Sequence, residues 1–161
     1  MTELTAAVVT VSDRVSRGEA EDRSGPRAAD ALEALGFRVV ERRVVPDGIV
    51  PVRTALAELV DRVHLVVTSG GTGPAPRDLT PEATLEVVER LAPGFAEAMR
   101  AATFGVNPFG MLSRGVAGIA GSTLVLNLPG SPKGVEESLA VVAPALRHAV
   151  ELLIGESSGH N

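Results

Sequence analysis

Short apolar segments rich in β-branched residues alternate along the chain with longer segments of helical hydrophobic spacing. We predict buried strands at residues 6–11 and 64–68, and a strand at 37–45 whose charged interruption is typical of a sheet edge. Helices are predicted at 26–35 and 52–63, where apolar residues recur at the spacing of one helical face. Strands that alternate with helices indicate a mostly parallel sheet with helices on both faces.

The second half of the chain adds a pair of short strands at 116–120 and 123–128. Only Gly121 and Ser122 separate them, and so short a connection predicts an antiparallel hairpin. The hairpin makes the predicted sheet mixed. The pattern as a whole therefore predicts an α/β fold, with a mostly parallel mixed sheet between two layers of helices.

Further helices are predicted in this half. One runs over 80–91 with Thr80 as its capping residue, and a shorter one spans 94–103. The last predicted helix begins after Gly130, and its apolar positions continue to Leu153. Pro144 lies inside it and should kink or divide it, because proline removes a helical hydrogen bond.

The composition narrows the class of protein. With 161 residues, 45% of them hydrophobic, we expect a single domain over 1–161 with a flexible tail at 156–161. A net charge of −5 and an aromatic content of 2% are unlike those of a nucleic-acid binder, and the absence of cysteine excludes thiolate metal sites. No apolar run approaches the ~20 residues of a membrane span and no signal peptide is visible, so we expect no membrane partner and a cytoplasmic location.

A glycine-rich loop at residues 69–73 separates a predicted strand from a predicted helix. This order of elements presents backbone N–H groups to an anion, although a plain tight turn would also use glycines. Arg77 adds a cation and Asp78 a carboxylate directly after the loop, which points to phosphate and metal together. No Gly-Lys-Ser or Gly-Lys-Thr follows, so the loop is not a Walker motif.

Polar residues fall at the ends of several predicted strands. Ser12, Asp47, the glycine loop at 69–73 and the segment 127–130 each follow such a strand. Ligands of open α/β sheets bind beyond the carboxyl ends of the strands, so we expect these loops to meet at one edge. Taken alone, Asp47 after Pro46 fits an ordinary turn residue better than a functional one.

Four separated motifs resemble, both in sequence and in their order along the chain, the Mog/MoaB family of molybdenum cofactor biosynthesis. That family includes the bacterial molybdopterin adenylyltransferase and the G domains of gephyrin and its plant counterpart. The resemblance extends from about residue 6 to residue 153. Its motifs are Val11–Gly18 with Asp22–Pro26, Val45–Asp47, the glycine-loop sequence Thr68–Thr80, and Leu126–Lys133.

The resemblance implies an activity: transfer of AMP from ATP to the molybdopterin phosphate, with release of pyrophosphate. Asp47 and Asp78 match the family's catalytic aspartates and are expected to bind Mg²⁺. It also implies a homotrimer and hand-over of the product to a molybdenum insertase. By the same resemblance we expect Ser113 and Asn127 on the pterin side of the site and Ser12 and Asp13 on the nucleotide side. The other expected substrate-binding residues are not divided between the two substrates: Ser69, Gly70, Gly71, Thr72, Gly73, Arg77, Arg114, Pro129, Gly130, Ser131 and Lys133.

Two other functions compete with this one. A non-catalytic MoaB-like protein could bind pterin or serve as a scaffold, although the presence of both Asp47 and Asp78 favours an enzyme. A CinA-like nucleotide pyrophosphatase has a related domain, but its glycine loop usually lacks the form found here. None of the histidines, at 64, 148 and 160, has a spacing that suggests catalysis or metal binding.

Overall fold

The computed structural model describes residues 2–156, so the predicted tail at 156–161 lies outside it except for Glu156, as does His160. The strands are β1 Thr5–Val11, β2 Arg38–Val45, β3 Leu65–Ser69, β4 Arg90–Leu91, β5 Ala117–Ala120 and β6 Thr123–Leu128. The helices are α1 Asp13–Ser16, α2 Ser24–Ala34, α3 Ile49–Leu59, α4 Thr80–Leu85, α5 Pro93–Ala101 and α6 Pro132–Leu153, with a 3-10 turn at Pro108–Leu112.

The strands form one sheet in the order β2-β1-β3-β6-β5-β4. The first four are parallel, and β5 and β4 are antiparallel to their neighbours. The mixed α/β sheet and the hairpin at Gly121 are therefore as predicted. β2 lies at the sheet edge, as its charged interruption suggested, and its residues alternate between exposed and half-buried.

Both faces of the sheet are covered. Successive residues of β1 point to opposite faces, so that Val8 joins one apolar cluster and Val9 the other. The first cluster includes α2 and α6, with Leu139 fully packed, and the second includes α3, with Leu56 fully packed. Burying one such leucine contributes about 1.5–3 kcal/mol, so the two clusters fix the three-layer arrangement.

The helix predicted at 80–91 is shorter than expected. It ends at Leu85, and the next residues pair with β5 as the strand β4. Glu89 N donates to Ile119 O at 2.8 Å, and Ala92 N donates to Ala117 O at 2.9 Å. The chain leaves the helix because an unpaired β5 edge offers these amides stronger partners than continued helix would.

The last helix is not divided at Pro144. α6 runs without interruption from Pro132 to Leu153, and its buried face includes Leu139 and Leu146 on either side of the proline. Pro144 and Ala140, the residue whose carbonyl loses its partner, are both away from the buried face of the helix. Water can satisfy that carbonyl, so packing of the apolar face outweighs the lost bond.

Among residues 2–156, no helix has the length and apolar character needed to cross a membrane.

Candidate active site

The carboxyl ends of β1, β2, β3 and β6 meet at one edge of the sheet. Ser12 N donates to Val45 O at 2.9 Å, which joins the loop after β1 to the end of β2. Ser69 Oγ donates to Pro129 O at 2.8 Å, which joins the glycine loop to the loop after β6. The parallel register of these strands thus brings together the loops that the sequence placed at strand ends.

The glycine loop packs closely against its neighbours. Gly70 and Gly71 have φ angles of 101° and 69°, which side chains rarely adopt. A Cβ atom on Gly70 would lie 2.3 Å from Val11 O, so the loop could not approach β1 with any other residue. No hydrogen bond within residues 2–156 uses the N–H groups of residues 71–73. These amides are therefore free to bind an anion.

Thr80 supports the glycine loop rather than capping its own helix. Its hydroxyl, fully buried, donates to Gly70 O at 2.9 Å, and its backbone N–H donates to Gly71 O at 3.1 Å. The residue before the helix is Leu79, which provides no side-chain cap, so the predicted capping role of Thr80 is wrong. The glycine loop folds back over the start of the helix, so that the Gly70 carbonyl accepts the hydroxyl and the Gly71 carbonyl accepts the backbone N–H of Thr80.

Asp13 and Asp47 exchange hydrogen bonds across the first two loops. Asp13 N donates to Asp47 Oδ2 at 2.9 Å, and Asp47 N donates to Asp13 Oδ1 at 3.2 Å. Arg77 donates to both carboxylate oxygens of Asp13, at 2.6 and 3.0 Å, and to Asp47 O at 3.0 Å. Hydrogen bonding from Arg77 lowers the pKa of Asp13, so this carboxylate is charged and held in place.

The carboxylate of Asp47 faces the glycine loop. A Cβ placed on Gly71 would lie 3.2 Å from Asp47 Oδ1. Burial raises the pKa of Asp47, and the negative charges of Asp13 and Asp78 raise it further. Excess negative charge here indicates a position that would favour a cation. Among residues 2–156 there is no cluster of three or more acidic or histidine side chains that could hold a metal alone.

Asp78 is fixed by a turn and by Arg114. Its Oδ2 accepts a hydrogen bond from Ala75 N at 3.1 Å, and its backbone oxygen accepts one from Arg114 Nη2 at 2.5 Å. Arg114 also donates to Gly73 O at 3.0 Å and forms an ion pair with Glu82. Hydrogen bonding from Arg114 lowers the pKa of Glu82. Arg114 thus closes the 73–78 segment into a fixed loop.

A cavity of about 620 Å³ opens beside the glycine loop. Its polar edge includes Ser113, whose hydroxyl accepts a 3.3 Å bond from Gly115 N, and Ser131, which caps α6. Most of its wall is apolar, from α5, α6 and residues 106–112. Within residues 2–156, Glu137 is the one charged side chain in the lining of this cavity, and a partly apolar molecule with a polar end fits such a space.

Two of the expected site residues have protein partners of their own in the structure. Lys133 is exposed and pairs at 3.7 Å with Glu137, which lines the larger cavity. Asn127 is buried, 3% exposed, and its side chain bonds Thr68, Thr84 and Val116 N. Asn127 also lines a small cavity together with Ser113 and Pro129.

Two supporting residues carry little sign of their role in the sequence. Glu82 holds Arg114, and only its place in the first turn of a helix distinguished it from a solvated charge. Thr84 accepts from Asn127 and donates to Thr80 O, and the first of these contacts connects segments far apart in the chain. The contacts of Glu82 with Arg114 and of Thr84 with Asn127 cannot be read from local spacing.

Comparison with known proteins agrees with this geometry. Residues 7–148 match the family model described as "Probable molybdopterin binding domain". The chain is 41% identical to the molybdopterin adenylyltransferase of Helicobacter pylori over 152 residues, which cover 92% of this chain and 86% of that protein. It is 43% identical to that of Escherichia coli over 150 residues, covering 90% and 76%.

A solved structure has the same fold. The molybdopterin biosynthesis enzyme MoaB from Thermus thermophilus superposes with a TM-score of 0.90 at 45% identity, covering 94% of this chain and 97% of that one. Sequence, fold and the arrangement of the loops agree over nearly the whole chain. The chain therefore belongs to the Mog/MoaB family of molybdopterin-binding domains.

Proposed function

We propose that the protein is a molybdopterin adenylyltransferase, which transfers AMP from ATP to the phosphate of molybdopterin and releases pyrophosphate. The observation that carries this proposal is the position of the Asp47 carboxylate beside glycine-loop amides that have no hydrogen-bond partner within residues 2–156. The relatives in Helicobacter pylori and Escherichia coli are named for the same activity. We also propose that residues 1–161 form a single domain.

The site can provide the chemistry of this transfer. The pterin phosphate attacks the α-phosphorus of ATP, and positioning and electrostatic stabilisation are the main contributions a protein makes to such a step. The free amides of residues 71–73 bind phosphate oxygens at the helix start. The apolar cavity next to Ser113 holds the pterin ring system. The two substrates thereby meet at the glycine loop.

Magnesium fits the donor set that the structure presents. Asp47 and Asp78 would hold the ion, because Mg²⁺ binds one or two carboxylates together with substrate phosphates and water. Burial is the main reason that the pKa of Asp47 is raised, and the negative charges of Asp13 and Asp78 raise it further, so a cation beside Asp47 would relieve the cost of its charge. When bound, the ion neutralises charge on the pyrophosphate leaving group. Arg77 and Asp13 keep the Asp47 loop in position throughout.

The direct test is formation of adenylated pterin from molybdopterin, Mg²⁺ and labelled ATP. Label recovered on the pterin, with one pyrophosphate released for each pterin modified, supports the proposal. Pterin binding without transfer would favour the non-catalytic alternative. Release of labelled AMP or ADP from a nucleotide substrate, without labelled pterin, would favour the pyrophosphatase.

Replacing Ser113 by alanine is expected to weaken molybdopterin binding tenfold to a hundredfold and to leave ATP binding nearly unchanged. The reason is loss of one hydrogen bond to a charged group, worth about 1.5–3 kcal/mol. Calorimetric titration with each substrate measures the two affinities. Ser16→Ala is the control, because Ser16 is an exposed serine whose hydroxyl donates only to Asp13 O. Equal losses for pterin and ATP would remove Ser113 from the pterin subsite.

We also propose that the protein is a homotrimer that passes its product to a molybdenum insertase. The support is the exposed apolar side chains at 104–112 that lie outside the wall of the pterin cavity, where Phe104 is 68% and Met111 is 65% exposed. Closed cyclic assembly would cover such a surface. Light scattering at micromolar concentration should give three times the 16.6 kDa monomer mass. A monomer mass contradicts the proposal, and six times that mass indicates a hexamer.

A further inference from the structure

A chain of buried hydrogen bonds connects the two halves of the site beneath its surface. Val116 N donates to Asn127 Oδ1 at 3.1 Å, and Asn127 Nδ2 donates to Thr84 Oγ1 at 3.0 Å. Thr84 Oγ1 donates to Thr80 O at 2.8 Å, and Thr80 Oγ1 donates to Gly70 O at 2.9 Å. Every bond in the series has a defined direction.

The side chains of this series lie out of reach of water. Thr80 and Thr84 are 0% exposed, and Asn127 is 3% exposed. A buried hydroxyl or amide that loses its partner keeps the full cost of desolvation, so each member strongly favours the arrangement of the next. Asn127 Nδ2 also donates to Thr68 Oγ1 at 3.0 Å, which ties the series to β3.

Thr84 is the side chain of the series that joins its two ends. On one side is Asn127, which lines the floor of a small cavity with Ser113 and Pro129. On the other is Thr80, which donates hydrogen bonds to the carbonyls of both Gly70 and Gly71. Thr84 itself lines neither this cavity nor the larger one beside the glycine loop, so it acts through these neighbours.

We infer that Thr84 is a positioning residue, whose hydroxyl fixes the glycine loop relative to Asn127 and the small cavity that Asn127 lines with Ser113. The inference rests on the proposed function for its kinetic consequence, because transfer requires the pterin phosphate and the nucleotide to meet in one geometry. Small misplacements of reacting groups cost large factors in rate. Loss of the hydroxyl should therefore lower kcat more than it changes either KM.

Thr123 provides a matched control. It is also 0% exposed, its hydroxyl donates to a backbone oxygen, Val63 O, at 2.7 Å, and it accepts from Asp61 N at 3.0 Å. Thr123 lies at the start of β6, whereas the glycine loop lies at the opposite end of the parallel strands. Thr84→Val and Thr123→Val thus remove equivalent buried hydroxyls, one beneath the site and one far from it.

Amide hydrogen exchange tests the inference in the ligand-free protein. Thr84→Val should speed exchange of both Thr80 N–H and Val116 N–H about fivefold or more, the size expected for one lost hydrogen bond. Thr123→Val should speed exchange of Asp61 N–H and leave those two amides as in the wild type. Thr84→Ser, which keeps the hydroxyl, should restore protection of Thr80 and Val116.

Steady-state kinetics give the second measurement. Thr84→Val should lower kcat for adenylyl transfer about tenfold or more, with Thr84→Ser and Thr123→Val near wild type. The inference is overturned if Thr84→Val leaves exchange at Thr80 unchanged, or if kcat of the two valine variants falls equally. If the wild type transfers no AMP, the proposed function fails, and the exchange result alone decides whether Thr84 positions the glycine loop.

Discussion

Asp47→Asn and Asp78→Asn are each expected to lower the rate of adenylated-pterin formation by about 10²-fold or more, the size usual for loss of one preorganised electrostatic group. Asparagine keeps the shape of the side chain and one acceptor oxygen, so Asp47→Asn can still accept from Asp13 N. It removes the negative charge that would bind Mg²⁺. The rate should therefore fall while the loop keeps its conformation.

Folding is followed by circular dichroism, because the chain has no tryptophan or tyrosine for fluorescence. Asp61→Asn is the matched control: Asp61 lies in a turn with φ of 64°, which asparagine also adopts, and its backbone N–H bonds Thr123 far from the site. Asp61→Asn should keep wild-type activity. Wild-type turnover by a folded Asp47→Asn or Asp78→Asn variant would show that the aspartate in question is not catalytic.

Gly70→Ala is expected to destabilise the protein by about 3 kcal/mol or more and to abolish transfer in whatever fraction folds. Its φ of 101° is strained for alanine, and the new Cβ would lie 2.3 Å from a backbone atom, Val11 O. Either β1 or the loop must move. Since Val11 leads into the loop that carries Asp13, such a movement would also disturb the carboxylates.

Gly18→Ala separates the two causes of the destabilisation expected for Gly70→Ala, which are the strained φ angle and the contact of the new Cβ with Val11 O. Gly18 has a φ of 74°, but a Cβ there would meet nothing within 4 Å, so only the backbone cost of about 1–2 kcal/mol applies. Urea denaturation of both variants measures the difference. Similar losses of unfolding free energy for the two variants would mean that the contact between Gly70 and β1 contributes nothing, and that the glycine loop is looser than its geometry implies.

The local sequence pattern was sufficient to predict those features of the fold that depend on one element and its immediate neighbours in the chain. The alternation of apolar strands and amphipathic helices determined the α/β layers, because a parallel sheet must be covered on both faces. The charged interruption in β2 identified the edge strand, and the short connection at Gly121 identified the hairpin. The polar residues that follow the predicted strands also indicated where the candidate site lies, because the carboxyl ends of parallel strands lie at the same end of the sheet.

Local pattern failed where a distant partner decides the outcome. Residues 86–91 lie outside the helix that was predicted for them, because β5 provides backbone partners for the amides of Glu89 and Ala92. Pro144 stays inside α6 because the apolar face on both sides of it packs against the sheet. The helix begins one residue earlier than a Thr80 cap would require, with Leu79 at its N-cap, and the Thr80 hydroxyl donates to Gly70 O in the glycine loop.

The sequence by itself determined which residues could do chemistry, and the tertiary structure decided which of them act together. Glycines, aspartates and an arginine near strand ends are visible in the chain. Three features of the site depend on contacts between segments far apart in sequence. Arg77 bonds Asp13, Asp13 and Asp47 exchange hydrogen bonds between backbone N–H groups and carboxylates, and Asn127 is buried against Thr84. Such contacts arise only when the sheet brings its strands into register, because hydrogen-bond geometry is fixed by three-dimensional distance and not by spacing along the chain.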